Sequence, residues 1–306
     1  SINNLKAKRI FGNVNYKLKD GSKNDFKEIE INVDEKPTGE IFAGAGTGTS
    51  GSTLSIGIKE NNYLGSGIKL DTNATISDNA LLGKFSINNP NFNNSDKSLI
   101  TTLEASQVDR MSKFGYKTDK TGFDIGTSFE QYDDIYFSPS IESYLETVKI
   151  SSSASESMKK QKGDYFDTSL NYVFTLNKLN QNFQPSSGFS SSFYQSVPLY
   201  ADDWSLNNEF RYSKYYSPND SAIISFKFLA ESINSLSGDD VRISKRVYLP
   251  SKRMRGFESG KIGPVDQGDY VGGNYASALN IATTLPGLLS DLENVDFSLF
   301  VDAGNV

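Results

Sequence analysis

Cysteine and histidine are both absent from the 306 residues. Without thiols there is neither a disulfide nor a thiolate metal site. Without imidazole the commonest general base, the commonest metal ligand and every triad built on it are gone. We therefore expect no enzyme, no metal and no cofactor. An excess of basic charge is missing too. The 31 Lys and Arg are interspersed among 37 Asp and Glu, for a formal net charge of −6. That leaves no basic face for nucleic acid, and no nucleic-acid partner is expected. Long apolar runs are lacking as well, since no stretch approaches the roughly 18 residues that a transmembrane helix needs. The opening "SINNLKAKRIFGNV" has none of the parts of a signal peptide. The last residues, "FVDAGNV", stop inside a strand pattern. Both ends read as internal, so a piece of a longer protein is expected.

What is present is an aromatic load of 20 Phe and 16 Tyr in a polar chain. The spacing has a period of two. In "YFDTSLNYVFTLN" one face takes Phe166, Thr168, Leu170, Tyr172, Phe174 and Leu176, while the other takes Asp167, Ser169, Asn171, Val173, Thr175 and Asn177. Similar rows recur at Trp204–Tyr212, at Ala222–Ala230 and at Val295–Val301. In the last of these Asp302 falls on the polar side. Soluble strands usually run five or six residues, and a tilted bilayer-spanning strand needs about 9–11. Alternation over such lengths predicts an all-β chain: an antiparallel transmembrane β-barrel whose apolar row faces lipid. Tyr165, Trp204, Tyr215 and Tyr275 stand near strand ends and suit an aromatic girdle.

About thirteen strands follow Glu40. Short turns are expected at 61–67, 88–97 and 217–220, and longer polar segments near 109–118, 150–164 and 233–270. A single-chain barrel normally has an even strand number, so thirteen implies an incomplete one. Residues 1–37 differ. Ile2, Leu5 and Ile10 outline a weak amphipathic helix, and two strands flank a turn at Asp20-Gly21-Ser22. Helix plus hairpin is too small to be a domain, so 1–37 reads as the second half of a small α+β domain. Residues 38–306 read as the barrel.

An ordered set of segments resembles the BamA family of outer-membrane β-barrel assembly factors, in which POTRA domains precede a sixteen-stranded barrel. "VDEKPTGEIFAGAGTGTSG" (33–51) is similar to the junction of the last POTRA strand with barrel strand one. "NNYLGSG" (61–67) and "FSINNPNF" (85–92) resemble the turns after strands two and four, and "YVFTLNKLNQNFQPSSG" (172–188) resembles strand eight and its turn. "MRGFESGKIGP" (254–264) is similar to the motif loop, "YVGGN" (270–274) to the start of strand twelve and "FVDAGNV" (300–306) to the end of strand thirteen. The resemblance implies that the 1–37 segment ends a POTRA domain. It also implies that the 233–270 loop folds into the lumen with Arg255, Gly256 and Phe257 at its tip and Ile262, Gly263 and Pro264 on its return path.

Arginine there would meet Asp302 in a charge-assisted, bidentate pair. Gly256 would permit a tight bend or a close approach to the wall, and Phe257 would wedge into the interior. Met254 takes a position the family usually fills with valine. Some members carry a second acidic partner on strand twelve; the matching position here is Ala282. Ile41, Phe42, Ala43, Gly44, Ala45 and Gly46 fall on strand one, the family's lateral gate. The glycines there either leave the strand poorly held or make room for the infolded loop, and the sequence leaves both open.

The function implied is insertion and folding of other β-barrel proteins in the outer membrane of a Gram-negative bacterium, with the POTRA part periplasmic. Implied partners are unfolded barrel proteins, outer-membrane lipid and lipopolysaccharide, and assembly lipoproteins. A POTRA-barrel transporter that secretes a partner protein is the alternative, and a passive porin a more distant one.

Overall fold

In a computed structural model, the described residues are 10–21, 27–48, 51–219, 221–286, 288 and 295–306. The expected helix at the start of the chain, and Ser22 of the expected turn, lie outside them. A hairpin comes first: β1 (Phe11–Asp20) pairs antiparallel with β2 (Lys27–Glu35). Lysines and acids alternate with Tyr16, Leu18, Ile29 and Ile31, which leaves one polar and one apolar face.

Thirteen antiparallel strands then form one continuous sheet. They are β3 (Gly39–Gly48), β4 (Gly51–Tyr63), β5 (Ile68–Ser77), β6 (Ala80–Asn89), β7 (Ser98–Arg110), β8 (Tyr116–Tyr132), β9 (Ile135–Ile150), β10 (Gly163–Leu179), β11 (Gly188–Ala201), β12 (Ser205–Asn219), β13 (Ala222–Ser235), β16 (Tyr275–Leu285) and β17 (Phe297–Asn305). Between β13 and β16 a loop carries a small hairpin, β14 (Val265–Asp266) and β15 (Asp269–Tyr270). Each sheet strand pairs with its neighbour in sequence, β13 pairing across the loop with β16; β3 and β17 are the two margins.

The register explains the alternation. Phe85 lies opposite Leu103, and Leu103 opposite Phe123. Phe137, Phe174, Phe193 and Phe210 line up across four strands. Phe137 and Phe174 stack with ring centroids 4.6 Å apart. Leu299 and Val301 on β17 are 61% and 70% exposed, an arrangement that water would penalise and lipid rewards. The opposite face is polar and paired, as where Lys120 meets Glu142 at 2.9 Å. Strands such as β8 and β10, 17 residues each, exceed what a bilayer needs. Their surplus at the loop end is polar, with Lys149 on Asp119 at 2.7 Å and Gln107 donating to the same carboxylate.

At the loop end the connections pack on one another. The segment expected to be long at 109–118 is short: the ladder runs to Arg110 opposite Tyr116, leaving one helical turn, Met111–Phe114. Residues 151–162 hold a second turn, Glu156–Lys159, capped by the Ser155 hydroxyl accepting from the Met158 amide. Tyr116, Val148, Met158, Ile243 and Val271 form one buried cluster where these turns meet the loop 236–274. Leu229, Ile233, Val247, Leu249, Met254 and Ala278 form a second, deeper along the wall.

The girdle reading needs correction. Trp204 and Tyr275 face outward, as do Tyr200 and Tyr216. Tyr165 and Tyr215 face inward, beneath Arg242 and beside Lys227. Their odd positions put them on the same face as Asp167 and Glu209, which strand geometry requires whatever their chemistry.

Candidate functional site

The tip of the 236–274 loop docks on β16 and β17. Asp302 accepts from Arg255 Nε at 2.8 Å and from Nη2 at 2.6 Å, and its Oδ2 also accepts from the Arg255 backbone amide at 3.0 Å. The pair is the expected bidentate fork. Phe300, two residues back on the same face, puts its ring 3.6 Å from the guanidinium carbon, a cation–π contact.

The second partner is not where the resemblance placed it. Ala282 lies opposite Phe300 and lines the cavity beside Arg255 without a polar group. The role falls to Asn280, directly opposite Asp302. Its amide donates to Asp302 Oδ1 at 2.8 Å and to the Arg253 carbonyl at 2.7 Å. A neutral amide thus orients the carboxylate and pins the loop backbone at once.

Gly256 has φ +88 with open space around its missing side chain, so it serves the bend and not a close approach. Phe257 is 56% exposed and is no wedge. That place is filled by Met254, 7% exposed, whose sulfur lies against Gly304 of β17. On the return path Ile262 packs on the deeper cluster, Gly263 lies under Val306, and the Pro264 carbonyl accepts from the Val271 amide at 3.1 Å. Glu258 joins Lys113 on the first helical turn and Lys261 at 2.8 Å; those two ammonium groups pull its carboxyl down to about 2.

A second anchor was not foreseen. Arg242, at the start of the same loop, is 2% exposed and sits over the Tyr165 ring at 4.1 Å. Its Nη2 donates to Asp167 on β10, and its Nε lies 3.2 Å from Glu146 on β9. Ser244 adds a bond to Glu146 at 2.8 Å. Lys245 reaches Asp167 at 3.3 Å and the Asp203 carbonyl at 2.9 Å; burial, then the neighbouring Arg242, pulls its ammonium below its ordinary range. A usable signal was present: inward-facing acids near the loop ends of two long strands, with two cations in the facing loop.

At the other margin β3 pairs with β4 along its whole length, from Gly39 opposite Glu60 to Gly48 opposite Gly51. Ile41 is exposed toward lipid, and Phe42 turns inward and lies over Gly57, where a Cβ would stand 2.3 Å from its ring. A glycine bare on one strand is thus covered from the next. Beyond it Ala43, Gly44, Ala45 and Gly46 are exposed, and among the described residues nothing approaches within 4 Å of where Cβ atoms on Gly44 and Gly46 would be. The described loop residues make contacts on β9, β10, β13, β16 and β17.

The Omp85 superfamily domain matches residues 62–306. The chain belongs to the Omp85 superfamily. Within it the chain is BamA-like. It is 27% identical over 256 residues to the outer membrane protein assembly factor BamA of Neorickettsia risticii, covering 81% of this chain and 34% of that protein. It is 26% identical over 167 residues to the human sorting and assembly machinery component 50 homolog, covering 51% and 35%. The chain spans about a third of the length of the curated relatives it matches. The fold matches the crystal structure of BamA from Haemophilus ducreyi lacking POTRA domains 1-3, with a TM-score of 0.89 and 21% identity, over 99% of this chain and 64% of that one. CdiB from Acinetobacter baumannii matches at a TM-score of 0.56 and 10% identity, over 98% and 56%.

Proposed function

We propose that this Omp85 chain is the membrane part of an outer-membrane β-barrel assembly factor, with unfolded β-barrel proteins as its substrates. The observation that carries the reading is the docked tip: Arg255 forked onto Asp302 within a wall whose fold matches BamA. In this reading the hairpin β1–β2 is the end of a periplasmic POTRA domain. Lipoproteins act through the domains before it, and the loop end faces the cell exterior among lipopolysaccharide.

The work is physical, with no covalent step and no cofactor. Unpaired backbone groups in hydrocarbon cost several kcal/mol each, so a substrate strand gains most by pairing before it enters lipid. The β3 margin offers such a template by β-augmentation. From Gly44 onward it has little side-chain packing to oppose separation. The inward clamp at Phe42 holds the strand's first part while the rest parts sideways.

The test uses the natural protein in liposomes with an unfolded barrel substrate, its folding followed by protease protection. Acceleration by the parent, blunted in Arg255→Ala and Asp302→Ala, supports assembly. No acceleration, with conduction through the vesicles or export of a partner protein, assigns it instead to the pore or secretion class.

A further inference from the structure

The loop touches the wall at two charged anchors of different construction. The tip anchor sits on β16 and β17, with the Arg255 side chain 34% exposed and the Asp302 side chain 4%. The stalk anchor sits on β9 and β10, the seventh and eighth of the thirteen strands, each held by a ladder on both sides. Arg242 there is 2% exposed, and the side chains of Glu146 and Asp167 are 9% and 5% exposed. Around the guanidinium, Ser244 and Lys245 fasten the same two acids, and Gln161 accepts from the Ile243 amide at 2.6 Å. The partners the arginine has therefore come from the sheet's middle or from the loop's own first turn, and its Nη1 and Asp167 Oδ1 are buried without a hydrogen-bond partner among the described residues.

We propose that Arg242 is the positioning residue of this loop: the Arg242–Glu146–Asp167 network tethers it inside the barrel, and the Arg255–Asp302 tip makes and breaks contact on that tether. The physical reason is solvent. When the tip opens, Arg255 is already one-third wet, and Asp302, itself 4% exposed, keeps the Asn280 amide as a donor. Opening the stalk strands two carboxylates and a guanidinium in a site closed by Tyr165, Ile243 and Val148. Breaking a buried pair of that kind is strongly disfavoured. Nor can the wall beneath it shift to release it, since β9 and β10 would each have to leave two ladders. Between tip and stalk Val247, Leu249 and Met254 form an apolar seam on β13 and β16. Leu249 is 1% exposed and reports which anchor holds.

These 306 residues have no cysteine, so once any cysteine elsewhere in the natural protein is replaced by serine, a single introduced thiol reads cleanly. Leu249→Cys is made in the natural protein in native membranes, and the rate of maleimide labelling is measured alone and with Arg255→Ala, Arg242→Lys or Arg242→Ala. Compact migration of unheated protein on a gel confirms that each barrel is folded. Labelling should stay within about threefold of the parent in Arg255→Ala and rise about tenfold or more in Arg242→Ala, with Arg242→Lys between them because it keeps the charge and loses the fork. Should Arg242→Ala give no folded barrel, the same measurement on Asp167→Asn replaces it, and a rise of several-fold is expected. Labelling that rises as much in Arg255→Ala as in the stalk variant overturns the proposal, and so does a stalk variant that leaves it unchanged. The readout is loop position alone, so it stands or falls independently of what the barrel assembles.

Discussion

Arg242 and Arg255 belong to one loop, and each ends on buried carboxylates of the barrel wall with an aromatic ring beside it, yet the two cations differ in their own exposure and in how many acids they meet. Arg255 has one carboxylate, a neutral amide behind it and an aromatic face beside it. Arg242 has two carboxylates, a neighbouring lysine and almost no solvent. A motif marks the first, and no motif marks the second. The lesson is that a recognisable sequence signature identifies the part of a loop that meets a changing surface, while the part that holds it is fixed by burial.

The largest effect should come from the stalk. Arg242→Ala leaves Glu146 and Asp167 buried without their cation, a loss of about 3–5 kcal/mol by analogy with broken buried pairs. Denaturant unfolding in micelles measures it, and a loss below that of the tip variant breaks the contrast. Next, Arg255→Ala removes a charge-assisted fork in a wetter place and should cost about 1.5–3 kcal/mol in the same titration. Asn280→Ala comes third, at about 1 kcal/mol, since Asp302 keeps its arginine and loses one neutral donor. Phe257→Ala should lie within about 0.5 kcal/mol of the parent, because the ring is mostly exposed; a larger loss would restore the wedge.

The smallest effect is a pH dependence at Glu258. Its carboxyl lies near 2 with the loop docked, below its ordinary 4.5. Docking is therefore favoured by the ionised form: the contribution is complete above about 4.5 and disappears as pH falls from there toward 2. Protease cleavage at the tip should be steady from pH 7 to pH 5 and rise below that. Glu258→Gln should remove this part of the response and leave the remainder, from other carboxylates, in place.

Much of the barrel was legible because strand geometry is local. The two-residue period followed Phe166, Leu170 and Phe174 through β10, and it put Asp302 on the lumen side before any contact was known. The same parity, applied consistently, also puts Tyr165 and Tyr215 inside. They were misread because a ring near a strand end looks like a girdle residue whichever face it occupies. Phe42 over Gly57 was not legible, since it depends on which residues of two neighbouring strands fall opposite each other. Asn280 was missed for a related reason: a family position two residues away drew attention to Ala282, while the cross-strand register brings Asn280 to Asp302.

By itself the sequence determined the wall. Composition removed imidazole and thiol chemistry, alternation chose lipid for one face and water for the other, and strand length set the span. The motif loop named its own tip. Only the tertiary structure decided how that loop is held, because Arg242 meets Asp167 across 75 positions and Ser244 meets Glu146 across 98. Charges that far apart carry no periodic signal. What makes them an anchor is the removal of water, which happens only once the thirteen strands curve and the loop lies down inside them.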